Sequence, residues 1–270
     1  MILIKHKLKK IEEIIPWGNE KDGYYLHWFG LTDSYYWISI SQIELFRYSD
    51  EFLAKQHLKN EPPYVDYQFA RIMDDFLSIF NKVVVPIPDR VFNYIDSLDK
   101  FKEFQLALKL WLNEKWNEED DQYDEIYIPA SEWIYDRRLD SGYLIGGPDI
   151  YFFYNSGKIF IRWDCSYETE DGVKMWNEPR GEFVLDYNEF VIEILNSFDE
   201  FWSVMDARID EVISRWKKPN IHIDKELLIK NHDDQKRAYK SSINYSLSSL
   251  NKSEYDWDEI EKSIKSILNY

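Results

Sequence analysis

Between Tyr24 and Tyr48 the chain is dense in apolar and aromatic residues, and the pattern alternates. Tyr24 to Phe29 and Tyr35 to Ile40 are β-prone runs flanking Gly30-Leu31-Thr32-Asp33-Ser34, which is the signature of a hairpin. A period of two puts Leu26 and Trp28 on one face and Tyr25, His27 and Phe29 on the other. In the second run it separates Tyr36, Ile38 and Ile40 from Tyr35, Trp37 and Ser39. Both faces are apolar near the turn, so each requires a cover. Ile150 to Tyr154 and Lys158 to Trp163, around Asn155-Ser156-Gly157, predict a second hairpin. Gly181 to Leu185 predicts a third strand beside it. These strands are expected to pair antiparallel in one sheet with the first hairpin.

The period then changes to that of a helix. Val65, Phe69, Ile72, Met73, Phe76, Ile79 and Phe80 form one stripe over Tyr64 to Phe80. Leu98, Phe101, Phe104, Leu108, Trp111 and Leu112 form another over Ser97 to Trp116. The longest stripe runs from Phe190 through Ile194, Phe198, Phe201, Met205, Ile209 and Val212 to Trp216. It follows Asp186-Tyr187-Asn188-Glu189, a capping box, and stops before Pro219. Val83-Val84-Val85 predicts a short extended run. After residue 219 the composition weakens. Asp224 to Ser246 is helical, Ser241 to Ser253 reads as a loop or fraying tail, and Asp256-Trp257-Asp258-Glu259 caps a last helix with Ile260, Ile264 and Ile267 in line. The expected architecture is α+β: an antiparallel sheet packed by several long amphipathic helices over residues 1–218, with a C-terminal helical appendage over 219–270.

Composition narrows the function classes. Fifty Asp and Glu against 33 Lys and Arg give a net charge of −17. Such a chain is repelled by phosphate backbones, which require cations to displace their counterions. A basic protein partner is expected, with no direct nucleic-acid binding. Eleven Trp, 20 Tyr and 16 Phe supply the residues that dominate interface energetics as well as cores. Cys165 is the only cysteine, so an internal disulfide is impossible and a reducing cytoplasm is the expected compartment. No apolar stretch reaches the length of about 18 residues expected of a membrane span.

Catalytic signatures are sparse. His6, His27, His57, His222 and His232 lack metal-ligand spacing, and neither metal nor cofactor is expected. Cys165 follows a strand without a helix N-terminus to activate it. The chemistry left open is a carboxylate pair: Asp164, Glu168, Glu170 and Asp171 lie near Trp163, Tyr167 and Trp176, the residue types of a hydrolytic or glycan-active cleft. An enzyme of that kind is the alternative to an interaction module. For the module, the candidate partner-binding residues are Asp33 and Tyr35 at the expected hairpin tip, and Glu118, Glu119, Asp120 and Asp121 in the strongest acidic run.

Leu26-His27-Trp28-Phe29-Gly30-Leu31-Thr32-Asp33-Ser34-Tyr35-Tyr36-Trp37, with Glu44-Leu45-Phe46-Arg47-Tyr48, resembles the hallmark of an uncharacterised bacterial domain-of-unknown-function family. Asp256-Trp257-Asp258 and its helix are similar to the end of that family. The resemblance implies no reaction and no catalytic residue. An acidic, aromatic-rich α+β chain is, by analogy, similar to the immunity proteins of polymorphic-toxin systems, which makes an immunity-type inhibitor of a bacterial toxin the leading expectation.

Overall fold

The computed structural model describes residues 3–115, 121–216, 220–248 and 254–269, and the chain has an α+β fold. The first part contains β1 (Ile4–Leu8), β2 (Trp17–Asn19), β3 (Gly23–Tyr25), β4 (Asp33–Ile40), β5 (Ile43–Leu45), α1 (Asp50–Lys55) and β6 (Val65–Gln68). Next come α2 (Phe69–Val83), α3 (Asp89–Phe92), α4 (Leu98–Lys115) and α5 (Ile128–Tyr135), with a π-helical turn at Tyr123–Tyr127 leading into α5. The last part contains β7 (Arg138–Leu139), β8 (Asp149–Asn155), β9 (Lys158–Asp164), β10 (Arg180–Asp186), α6 (Tyr187–Arg215), β11 (Ile221–His222), α7 (Lys225–Ser248) and α8 (Trp257–Leu268).

The strands form three sheets rather than one. In the first, β4 is central: β1 lies along one side, while β6 and β5 share the other, opposite residues 33–36 and 38–40. The second has the order β10-β9-β8-β7, antiparallel throughout. The third is small, with β3 between antiparallel β2 and parallel β11. The hairpin expected around residues 30–34 does not form, because β3 and β4 belong to different sheets. Leu26, Trp28 and Leu31 are buried, and the intervening turn is itself a buried 3-10 helix at Gly30–Thr32. Burying these side chains in the core outweighs strand pairing, so the segment turns inward. The alternation survives: Leu26 and Trp28 are buried, whereas Tyr25 is exposed and His27 and Phe29 are half-buried. In β4, Tyr36, Ile38 and Ile40 are fully buried. The hairpin at Asn155-Ser156-Gly157 is present, joining β8 to β9.

The second sheet divides the interior. Ile150, Phe152, Ile159 and Ile161 face a large core with the stripes of α2 and α6, while Tyr151, Phe153 and Phe160 face a smaller one with α4, α5 and α8. On α2 the expected stripe is buried from Phe69 to Phe80, but Val65 is in β6, since residues 65–68 pair with β4. The extended run at Val83-Val84-Val85 is absent: Val83 ends α2 and Val84 keeps helical dihedrals as its cap. Asp186 caps α6 by accepting from the backbone N–H of Asn188 and Glu189, at 2.8 and 3.3 Å. Asp256 does the same for α8 from Asp258 and Glu259, both at 3.1 Å.

After residue 219, Leu228, Tyr239 and Ile243 of α7 pack into the larger core. Ile260, Ile264 and Ile267 of α8 pack into the smaller one. Trp257 meets Trp133 at 6.0 Å, and the buried Arg137 guanidinium lies over the rings of Tyr255 and Trp257. None of the described helices is long and apolar enough to cross a membrane.

Candidate partner-binding surface

Asp33 opens β4 and is 8% exposed, so it is not a free loop residue. Lys9 lies between two carboxylates, 3.3 Å from Asp33 and 2.5 Å from Asp66. Burial raises the Asp33 pKa above its ordinary range against the opposing pull of Lys9. Tyr35 faces solvent from the same strand. Its hydroxyl donates to Glu61 at 3.3 Å, and Lys9 sits 5.5 Å from its ring centroid. A cleft of about 520 Å³ adjoins Tyr35, lined also by Lys7, Lys9, Lys10 and Glu61. Glu118, Glu119 and Asp120 lie outside the described residues. Asp121 is exposed, its carbonyl accepting from the Glu125 N–H at 3.0 Å. No described contact joins it to Asp33 or Tyr35.

Acidic and aromatic residues meet in a different place, a groove of about 700 Å³ between α1, the loop at 140–148 and the loop at 165–175. Phe52, Ile145, Tyr167 and Met175 form its apolar part, and Glu170 and Asp171 stand on its rim. Each wall is anchored. Tyr48 stacks on Trp176 at 5.0 Å and on Phe52 at 5.2 Å, and the Ser49 N–H donates to the Met175 carbonyl at 2.8 Å, which ties α1 down. The opposite loop is held by Trp176 Nε1 donating to the Gly146 carbonyl at 2.7 Å and by Ser141 Oγ donating to that of Pro148 at 2.6 Å. Gly146 has φ +59° and lies against the Tyr167 ring; a Cβ there would fall 2.1 Å from it. On this pinned loop Ile145 is 78% exposed, beside Tyr167 at 38%. Lys55 pairs with Asp171, which also accepts from the Thr169 hydroxyl, and these bonds hold the Asp171 carboxyl below the usual range. Glu170 makes no ion pair among the described residues.

The four carboxylates read from the sequence are thus divided. Burial alone would raise Asp164, but hydrogen bonds from Ser166 and Arg180 outweigh it and lower its pKa. Glu168 sits in a β-bridge with Lys174. Trp163 and Trp176 are buried, and Trp163 shares with Asp164 only a recess of about 10 Å³. The carboxyl pushed furthest up lies elsewhere: burial raises Asp75 to about 6, against Arg71 at 2.8 Å. Tyr36 and Tyr143, whose hydroxyls are 2.6 Å apart, are near it. Cys165 is buried, which pushes its thiol up. The Gly30 N–H donates to His27 Nδ1 at 3.3 Å. Among the described residues no group of three or more His, Cys, Asp or Glu is placed to hold a metal ion.

Residues 3–263 match the family described as "Family of unknown function (DUF5984)". The chain belongs to this family. No curated protein and no solved structure matches it. The DUF5984 match spans both the sheets and the helices that build the groove. Of the groove residues, Tyr167, Glu170 and Asp171 stand in the acidic stretch that the sequence marks. Phe52 and Ile145 carry no local signal, being short apolar interruptions in polar segments.

Proposed function

We propose that this chain is a protein-interaction module that takes a basic partner through the groove at Ile145, acting as an immunity-type inhibitor of a bacterial toxin. The observation that carries the reading is Ile145. An isoleucine exposed at the tip of a loop held by Trp176, Tyr167 and Ser141 gains nothing in the free protein, and its rigidity removes the ordering cost of binding. Tyr167 and Phe52 beside it are the apolar anchors of an interface hot spot, and Glu170 and Asp171 supply a rim for cations. The net charge of −17 steers a basic partner towards the protein from a distance.

The test is co-expression with the products of adjacent genes, followed by pull-down and a growth-protection assay. A basic partner should co-purify and its toxicity should be suppressed. Ile145→Asp and Glu170→Lys should each weaken binding by a factor of about ten or more while leaving the melting curve in place. Variants that bind as tightly as the native chain would remove the groove from consideration. Failure of every neighbouring product to bind would remove the inhibitor reading.

A further inference from the structure

β10 is the outer strand of the second sheet, and the phase of its ladder is defined at both ends. The Cys165 N–H donates to the Pro179 carbonyl at 2.6 Å and the Tyr187 N–H to that of Gly157 at 3.0 Å. With the pairing Arg180↔Asp164 through Asp186↔Lys158, the odd-numbered residues of β10 bond to β9. The backbone N–H and C=O of Glu182 and Val184 therefore point away from the sheet. Among the described residues no hydrogen bond uses them.

Two other edges are covered or short. α6 runs along the outside of β1: the outward N–H of Ile4 donates to Ser197 Oγ at 3.2 Å, and Arg208 donates to the carbonyls of Lys9 and Leu31. The opposite edge of the second sheet is β7, a strand of two residues. Folded proteins commonly shield a long edge with charged side chains. Here the Glu182 carboxylate is turned inward onto buried Arg162 at 2.5 Å, and Val184 is 37% exposed. Ile192, in the second turn of the helix that begins where β10 ends, is 56% exposed.

We propose that β10 pairs antiparallel with β10 of a second copy of this chain, joining two four-stranded sheets into one. The strand is self-complementary in one register. With Phe183 opposite Phe183 of the second copy on a two-fold axis, Glu182 faces Val184 and Arg180 faces Asp186. That register makes Glu182 and Val184 hydrogen-bonded partners, each pair exchanging two main-chain bonds. It places the phenylalanines at the close, non-hydrogen-bonded position, where aromatic side chains stabilise each other most. It also sets opposite charges across the strands at both ends. Sliding the strands by two residues in either direction puts Glu182 opposite Glu182, or Glu182 opposite Asp186. Like charges facing each other destabilise both alternatives. Ile192 adds exposed apolar surface on the side of α6.

Sedimentation and light scattering over a concentration series test this. The native chain should move from the monomer mass to twice that mass as concentration rises. Val184→Pro removes an N–H that β9 does not use, so the variant should melt as the native chain does and stay monomeric. Arg180→Glu places like charges opposite Asp186 and should raise the dissociation constant at least about tenfold. It decides the matter if Val184→Pro fails to fold. A native chain that remains monomeric throughout overturns the proposal, as does a dimer that persists in folded Val184→Pro or a dissociation constant that is unchanged in Arg180→Glu.

Discussion

The indole N–H of Trp28 donates to Nδ1 of His232 at 3.1 Å, joining positions 204 residues apart. His232 Nε2 lies 2.7 Å from Asp206, which also accepts from Lys236 at 2.6 and 2.8 Å. With Nδ1 accepting from the indole, the ring presents its Nε2 hydrogen to Asp206. The chain Trp28–His232–Asp206–Lys236 connects the aromatic segment after β3 to α7 and α6. Trp28 also stacks on Trp202 at 5.9 Å.

His232→Leu should leave the buried indole N–H without an acceptor and cost about 1–3 kcal/mol. Trp28→Ala should cost about 3–5 kcal/mol, a large share of a typical domain's stability of about 5–15 kcal/mol. Urea unfolding of Trp28→Phe, His232→Leu and the double variant measures the coupling. A double variant whose cost equals the sum of the singles would mean that the bond contributes nothing.

Asp33→Ala leaves the half-buried Lys9 with Asp66 as its one carboxylate partner and should destabilise the fold by about 1–3 kcal/mol, since a charged hydrogen bond is lost. Tyr35→Ala, on a half-exposed position whose hydroxyl reaches Glu61, should stay within about 0.5–1 kcal/mol. Thermal melts of the two variants separate these outcomes. Equal melting temperatures for Asp33→Ala and the native chain would restore Asp33 as a free surface residue.

Local features of this fold are legible in the sequence because their causes are local. The caps at Asp186 and Asp256 need only the next three residues, and the α6 stripe needs only its own period. Asn155-Ser156-Gly157 closes its hairpin with the φ > 0 of Ser156 and Gly157. The Tyr24–Phe29 run is ambiguous for a physical reason. An irregular segment that passes a core presents the same alternation as a strand, and what decides between them is Trp202 and His232, far along the chain. The groove is half legible in the same way. Tyr167, Glu170 and Asp171 stand out as a cluster, but Phe52 and Ile145 reach it from distant segments, while Trp163 and Trp176 turn into the core.

α8 docks through Trp257, which sits against Trp133 and beneath the Arg137 guanidinium. Arg137 is fully buried, and burial lowers its pKa. Trp257→Ala should therefore both open a cavity and unseat the cation, at a cost of about 3–5 kcal/mol. Hydrogen exchange should then show loss of protection in α8 and the neighbouring turns of α5 before the second sheet is affected. Uniform loss of protection over the whole chain would mean that α8 is not a separable docking unit.

Two buried groups set opposing pH dependences. Burial and the nearby Arg208 guanidinium lower His6 from 6.5 to about 4. The unfolded chain then takes up this proton first, so the His6 contribution is present above pH 6.5 and is lost as pH falls towards 4. Asp75 runs the other way: burial raises it from 3.8 to about 6. Its folded carboxyl protonates first, so its contribution is complete below pH 3.8 and is lost as pH rises through 6. Between about pH 4 and 6 the two slopes oppose, and the native chain should show little net change from this pair. Asp75→Asn removes one slope. Relative to the native chain, the variant should gain roughly 1–3 kcal/mol between about pH 4 and 7, a tenfold difference in proton affinity being worth about 1.4 kcal/mol before solvent screening. His6→Leu should gain relative to the native chain in the opposite direction, as pH falls from 6.5 to about 4. Urea unfolding at intervals of about one pH unit across this range reads both differences. A stability difference between Asp75→Asn and the native chain that is constant across the range would mean that Asp75 titrates like an exposed carboxyl and that burial does not raise its pKa.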